Sequence, residues 1–112
     1  MSGVKLNQRL SLETRVQVPD GAGGFDESWL VLGSLWADIR ARSGRDAVGV
    51  AGVSTVAMYR IIVRASPIGS ESRPQAGQRL VSGVRNFTIE AVTEYGTDGR
   101  YLQCFAREEV VV

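Results

Sequence analysis

The stretch "RLSLETRVQV", residues 9 to 18, alternates almost without a break. Leu10, Leu12, Thr14, Val16 and Val18 fall on one side, with Ser11, Glu13, Arg15 and Gln17 on the other. A repeat of two suits only an extended chain, whose successive side chains point to opposite faces, so the stretch reads as a half-buried strand. Pro19 stops it, and "PDGAGGFDES" supplies turn residues, with three glycines able to take positive φ.

The same period recurs down the chain. From Trp29 to Ala41 the spacing predicts a second strand with Trp29, Val31, Leu35, Ala37 and Ile39 inward and Asp38, Arg40 and Arg42 outward. Its segment "ESWLVLGSLWADI" can also be scanned as a helix. "VAMYRIIVRAS", 56 to 66, places Tyr59, Ile61, Val63 and Ala65 inward, and Pro67 ends it because proline has no ladder donor. "PIGSESRPQAGQ" reads as a surface connection, with a short helix in the 70s left open, and "RLV" as a brief strand. A further strand over 84 to 95 has Phe87, Ile89 and Ala91 on one face and Thr88, Glu90 and Glu94 on the other. "GTDG" is a hairpin signal, and the last strand, 100 to 110, turns Leu102, Cys104 and Ala106 inward and Gln103, Arg107 and Glu109 outward. The expectation is an all-β fold: a small antiparallel barrel or sandwich of five to six strands, in one domain spanning 1–112.

One segment does not fit the alternation. "SGRDAVGVAGVST", 43 to 55, lies between the second and third long strands and is built mainly of Gly, Ala, Val and Ser. Most connections run to roughly 4–6 residues. Gly44, Gly49 and Gly52 make it costly to order, at roughly 1–2 kcal/mol per fixed residue, so a long flexible loop is expected here. From its residues alone it reads as an ordinary hairpin tip.

Composition narrows the function. The chain has no His and one Cys. A Ser-His-Asp or Cys-His arrangement is impossible, a structural zinc site is excluded, and no intrachain disulfide can form, which fits a reducing compartment of synthesis. Glu108 and Glu109 are neighbours that a strand points to opposite faces, and "GAGG" at 21 to 24 lacks the Lys-Ser/Thr and helix of a phosphate loop. Neither an enzyme nor a cofactor is expected. No charged-then-apolar leader opens the sequence and no apolar run nears the roughly 20 residues of a membrane span, so no membrane partner is expected.

Net charge is +1, but its distribution is uneven. From Asp38 to Arg85 arginines dominate (Arg40, Arg42, Arg45, Arg60, Arg64, Arg73, Arg79, Arg85) over Asp38, Asp46 and Glu71. The end is acidic, with Glu90, Glu94, Asp98, Glu108 and Glu109 against Arg100 and Arg107. Such separation suits head-to-tail packing of identical copies, and equally suits solvated faces.

The segment "LNQRLSLETRVQVPDGAGGFDESWLVLGSLWADI" resembles the opening of the head-tail joining proteins of tailed phages. Arg9, Asp20-Gly21, Gly23-Gly24, Trp29 and Trp36-Ala37-Asp38-Ile39 stand where that family has an early Arg, a glycine-rich turn and a strand from an aromatic to Trp-Ala-x-apolar. "YRIIVRAS", "NFTIEAV" and "RYLQCFAREE" resemble its later strands, so the likeness spans nearly the whole chain. The loop after Ile39 is richer in Gly and Val than the family pattern, and "ASPIGS" stands where an aromatic is often found.

The resemblance implies a β-barrel subunit, an adaptor or stopper, that forms a homo-oligomeric ring of six or twelve copies at the head–tail interface of a virion or gene transfer agent. It would be made in the host bacterial cytoplasm. A portal or adaptor would lie on the head side, a tail terminator or tail tube on the tail side, and genomic DNA would pass through without sequence-specific binding. In some members the loop between the second and third strands helps to close the channel. On that basis Ser43, Gly44, Arg45, Asp46, Ala47, Val48, Gly49, Val50, Ala51, Gly52, Val53, Ser54 and Thr55 become a channel or assembly loop, finished by neighbouring copies through strand addition and packing of the valines.

Trp29, Arg40, Arg42, Arg60, Arg64, Glu108 and Glu109 are the candidate contacts with other subunits or neighbours. One of Trp29 and Trp36 is expected in the core and the other at a subunit or portal-side contact, or both in the core. The arginines are expected to meet protein rather than DNA, because a lumen that lets DNA slide gains nothing from tight phosphate contacts. Cys104 reads as a small buried hydrophobe. Two alternatives stand beside this: a tail terminator or tube subunit, and a nucleic-acid-binding barrel. The latter would need exposed aromatics interleaved with basic residues. Tyr59, Phe87 and Phe105 instead fall mostly on inner faces.

Overall fold

The computed structural model describes residues 3–42, 48–49 and 54–111. The described residues form seven strands and no helix: β1 (Gln8–Pro19), β2 (Phe25–Ala41), β3 (Val48–Gly49), β4 (Ser54–Arg64), β5 (Arg79–Ser82), β6 (Arg85–Tyr95) and β7 (Tyr101–Val111). Every pairing is antiparallel. The strands follow the order β2-β1-β5-β6-β7-β4-β3, and β2 also pairs with β4. That last pairing, Ala37–Ala41 against Tyr59–Val63, returns six strands to their starting point. The result is a sheet closed on itself, which removes its central edges.

The core is the inner face of this ring. Leu10 and Leu12 of β1, Ala37 of β2, Ile61 and Val63 of β4, Leu80 of β5, Phe87 and Ile89 of β6, and Leu102, Cys104 and Ala106 of β7 form one buried cluster. Leu32, Leu35, Ile39, Tyr59, Ala65 and Val92 pack against it. Phe87 is the largest fully buried side chain, with Tyr59 meeting it edge-to-face at 5.3 Å and 84°.

The alternation expected from sequence holds for β1, β4 and β7, but two bulges reset it elsewhere. In the β1–β2 ladder Leu12 faces Gly33 while Glu13 faces Val31, so Leu32 is the extra residue. An extra residue inverts the face of everything before it. Leu32 therefore turns inward, and Val31, expected inward, is 58% exposed. Glu90 is the extra residue of β6: Ile89 faces Ala106 while Ala91 faces Phe105. Val92 then packs on the core, and Ala91, expected inward, is exposed.

Two ribbons extend beyond the ring. Past Glu13 and Val31, β1 and β2 pair only with each other as far as Pro19 and Phe25. Its turn is built by Asp20, whose Oδ1 accepts from the backbone N–H of Ala22 (2.8 Å) and Gly24 (3.0 Å). Gly21 and Gly23 supply φ values of 81° and 89°, which only glycine adopts without strain. The second ribbon is β4 and β7, paired from Ser54–Val111 to Val56–Glu109 beyond the last β2 and β6 partners. Because β4 runs antiparallel to β2 and Ala41 meets Tyr59, the two ribbons leave opposite ends.

The long segment begins and ends differently from expectation. β4 starts at Ser54 rather than 56, and Val48–Gly49 pair with Val56 and Thr55. Residues 43–47 and 50–53 lie outside the described residues.

Candidate functional site

The end of the ring where the 43–55 segment joins is closed by a charged plug. Phe87 and Glu108 are cross-strand partners on the inner face, so Glu108 points into the mouth rather than outward. Its side chain is 9% exposed. Arg85 reaches in from the start of β6 and donates Nε to Oε2 at 2.7 Å and Nη2 to Oε1 at 2.9 Å. Its guanidinium also donates to the Tyr59 hydroxyl at 3.3 Å and lies 4.8 Å from the Phe87 ring centre. These bonds from Arg85, aided by Tyr59, hold the Glu108 carboxyl below the usual carboxylate range although burial opposes it. The Arg85 guanidinium is pushed up, first by Glu108. Glu109, on the opposite face, is exposed.

Arg40 is engaged within its own chain. It donates to Asp38 Oδ2 at 2.9 and 3.2 Å, to the Tyr95 hydroxyl at 3.3 Å, and to the Gly3 carbonyl at 3.0 Å. Lys5 N–H also donates to Asp38 at 3.0 Å, so this pair pins the amino-terminal segment to β2. Burial is the largest influence on Asp38 and raises its pKa, but the bonds from Arg40 and Lys5 together bring it below its ordinary value. Arg42 lies 5.7 Å from the Phe105 ring centre, which places Phe105 on the outer face. Arg60 is half-buried and Arg64 exposed, and neither side chain has a hydrogen bond or ion pair among the described residues.

Neither tryptophan is in the core. Trp29 is half-buried between two guanidiniums, Arg79 at 4.1 Å and Arg15 at 5.3 Å from the ring centre, with Arg79 anchored to Glu13 at 2.8 Å. Trp36 is 55% exposed. The expectation of at least one core tryptophan is corrected, and the reason is geometric: β2 runs past the ring at Trp29 and turns its outer face to solvent at Trp36. Trp36 lies directly across from Arg9 on β1, and it shares a shallow cavity of about 450 Å³ with Arg64, Leu6, Ser34 and Leu35. Arg64 in turn faces Tyr101, and Tyr101 faces Tyr95. Across five strands the outer face thus reads Arg9, Trp36, Arg64, Tyr101, Tyr95. Sequence reasoning placed Arg64 and Trp36 separately and did not single out Arg9 as a contact. The available signal was the parity of Arg9 against Leu10, which puts it on the outer face.

Chemically these groups can bind and lock; among the described residues no group of three or more His, Cys, Asp or Glu could hold a metal. Cys104 is buried, and burial pushes its thiol up to about 12.

The family model described as phage head completion protein matches residues 1–109. No curated protein matches. Among solved structures, a chain in the virion of a native gene transfer agent particle is 44% identical, with a TM-score of 0.80 over 95% of this chain and 96% of that one. The solution structure of protein SF1141 from Shigella flexneri 2a is 20% identical, with a TM-score of 0.67 over 96% of each chain, and shares the fold. A match over nearly the whole length, joined to the closed strand ring, settles the family: this chain belongs to the phage head completion proteins.

Proposed function

We propose that this protein is a structural joint of a phage virion or gene transfer agent particle, set as a ring of identical copies between head and tail. The observation that carries this reading is the likeness to a gene transfer agent virion chain at 44% identity over almost the full length. The fold supports it. A closed ring of strands gives each subunit a rigid body, and the ribbons at its two ends offer paired strands to neighbours on opposite sides. No step requires chemistry, a cofactor or a metal.

In this reading the head side meets the portal or an adaptor and the tail side a terminator or tube. Residues 43–55 are completed by neighbouring copies around a channel through which DNA passes without sequence reading. Ring copy number is six or twelve.

Imaging of assembled particles tests this directly. Density for this chain is expected as a ring between portal and tail tube, and particles lacking the protein are expected to accumulate as separate heads and tails. Density confined to the tail tube would overturn the reading in favour of a tail component. A single copy off the axis would end the ring.

A further inference from the structure

The outer groove at Trp36 and the tip of the β1–β2 ribbon are complementary. In the groove exposed Trp36 lines a cavity with Arg64 and stands across from Arg9 of β1, and neither arginine has an ion pair among the described residues. At the tip Phe25, 63% exposed, is followed by two carboxylates. Asp26 has no ion pair among the described residues, and Glu27 is only loosely held by Arg15 at 3.6 Å, with both side chains more than half exposed. Glu27 shares the face of Phe25 and Asp26 borders it from the opposite face of the ribbon, so an aromatic flanked by acids is matched by an aromatic flanked by bases.

A chain cannot close this contact on itself. The tip lies about ten residues along β1 from Arg9, on the order of 30 Å at about 3.3 Å per residue. The tip is also pre-shaped: Asp20 and the paired Pro19 and Phe25 hold it before any encounter, so little order is lost on docking.

We propose that the β1–β2 tip of one copy, through Phe25, Asp26 and Glu27, docks into the Arg9–Trp36–Arg64 groove of a second copy. The contact is heterologous, so each copy offers one tip and one groove, and repetition closes a ring when the rotation permits. It rests on the ring reading only in taking the occupant to be a second copy. Aromatic and arginine side chains at the centre are the residue types that dominate protein contacts. Single-stranded nucleic acid fits less well. Tyr95 is bonded to Arg40 and Tyr101 is half-buried, leaving Trp36 as one stacking platform where a strand needs several in succession.

Sedimentation of the full chain tests the contact. The charge reversals Asp26→Lys with Glu27→Lys, and Arg9→Glu with Arg64→Glu, are each expected to weaken self-association at least tenfold, and all four together in one chain to restore it. Restoration also shows that the variants fold. Phe25→Ala and Trp36→Ala chains are each expected to stay monomeric, and their mixture to stop at a one-to-one dimer, because only one tip and one groove remain between them. Wild-type rings unaffected by any of these changes would overturn this contact and leave the ring reading standing. A wild-type chain that never associates with itself would overturn both. Salt-dependent binding of a single-stranded oligonucleotide that Trp36→Ala abolishes would reassign the groove to nucleic acid.

Discussion

Arg85 grips Glu108 through two short hydrogen bonds, 2.7 and 2.9 Å, directly beside the ring of Phe87. The pair closes one mouth of the strand ring, at the end from which the β4–β7 ribbon departs. Arg85→Ala leaves a carboxylate facing the core without its cation. Since Arg85 itself is 45% exposed, the expected loss is about 1–3 kcal/mol rather than the larger figure of a fully buried pair. Thermal unfolding checks it, with a fall of roughly 4–8 °C per kcal/mol.

The same pair sets an acid limit. Glu108 is held below its ordinary 4.5, first by Arg85, and Asp38 below its ordinary 3.8 by Arg40 and Lys5, against burial. A carboxylate whose folded pKa is depressed contributes stability above its unfolded value and loses it as pH falls toward the folded one. Stability is therefore expected to hold from neutral pH down to about 5 and to decline below about 4.5. Glu108→Gln is expected to be less stable at neutral pH but to show a shallower decline. Urea titrations at a series of pH values measure both, and an equally steep decline in the variant would refute the assignment.

Phe87→Ala removes the largest fully buried side chain and the edge-to-face partner of Tyr59. The cavity sits where β5, β6 and β7 meet, and the expected cost is about 3–5 kcal/mol, most of the stability of a small domain. Chemical denaturation should show a midpoint shift with little change in slope.

Cys104 is 0% exposed and its thiol is pushed up to about 12 by burial. The thiolate is the reactive form, so the folded protein is expected to resist an aromatic disulfide reagent at pH 8, and to release one equivalent on unfolding in guanidinium. Rapid labelling of the folded chain would show that the ring opens at β7.

Trp29 owes its cover to arginine. Removing Arg79, 4.1 Å from the ring centre, is expected to shift Trp29 emission to longer wavelength and to cost about 1 kcal/mol, and Arg79→Lys to recover only part of it. A Trp36→Phe background isolates the signal. An unchanged spectrum would mean that the stacking is not kept in solution.

Alternation decided most of this fold before any coordinates. Leu10, Leu12, Ile61, Val63, Leu102, Cys104 and Ala106 are inward because their spacing is two, and the absence of His removed whole classes of chemistry without reference to shape. Period two is a local property, readable wherever the backbone stays regular. What tertiary structure alone decided is where that regularity breaks and which segments lie past the ring. The extra residue Glu90 carries no local mark and Leu32 only the neighbouring Gly33, yet each inverts a face, so Val31 and Ala91 went outward. At least one of Trp29 and Trp36 is expected in the core by area, yet Trp29 lies where β2 runs past the ring and Trp36 on its exposed outer face. Glu108 reads from sequence as a candidate neighbour contact on the face opposite Glu109, and the partner that makes its burial tolerable stands 23 residues earlier in the chain. Contacts of that kind depend on which strands become neighbours, and that is settled only when the ring closes.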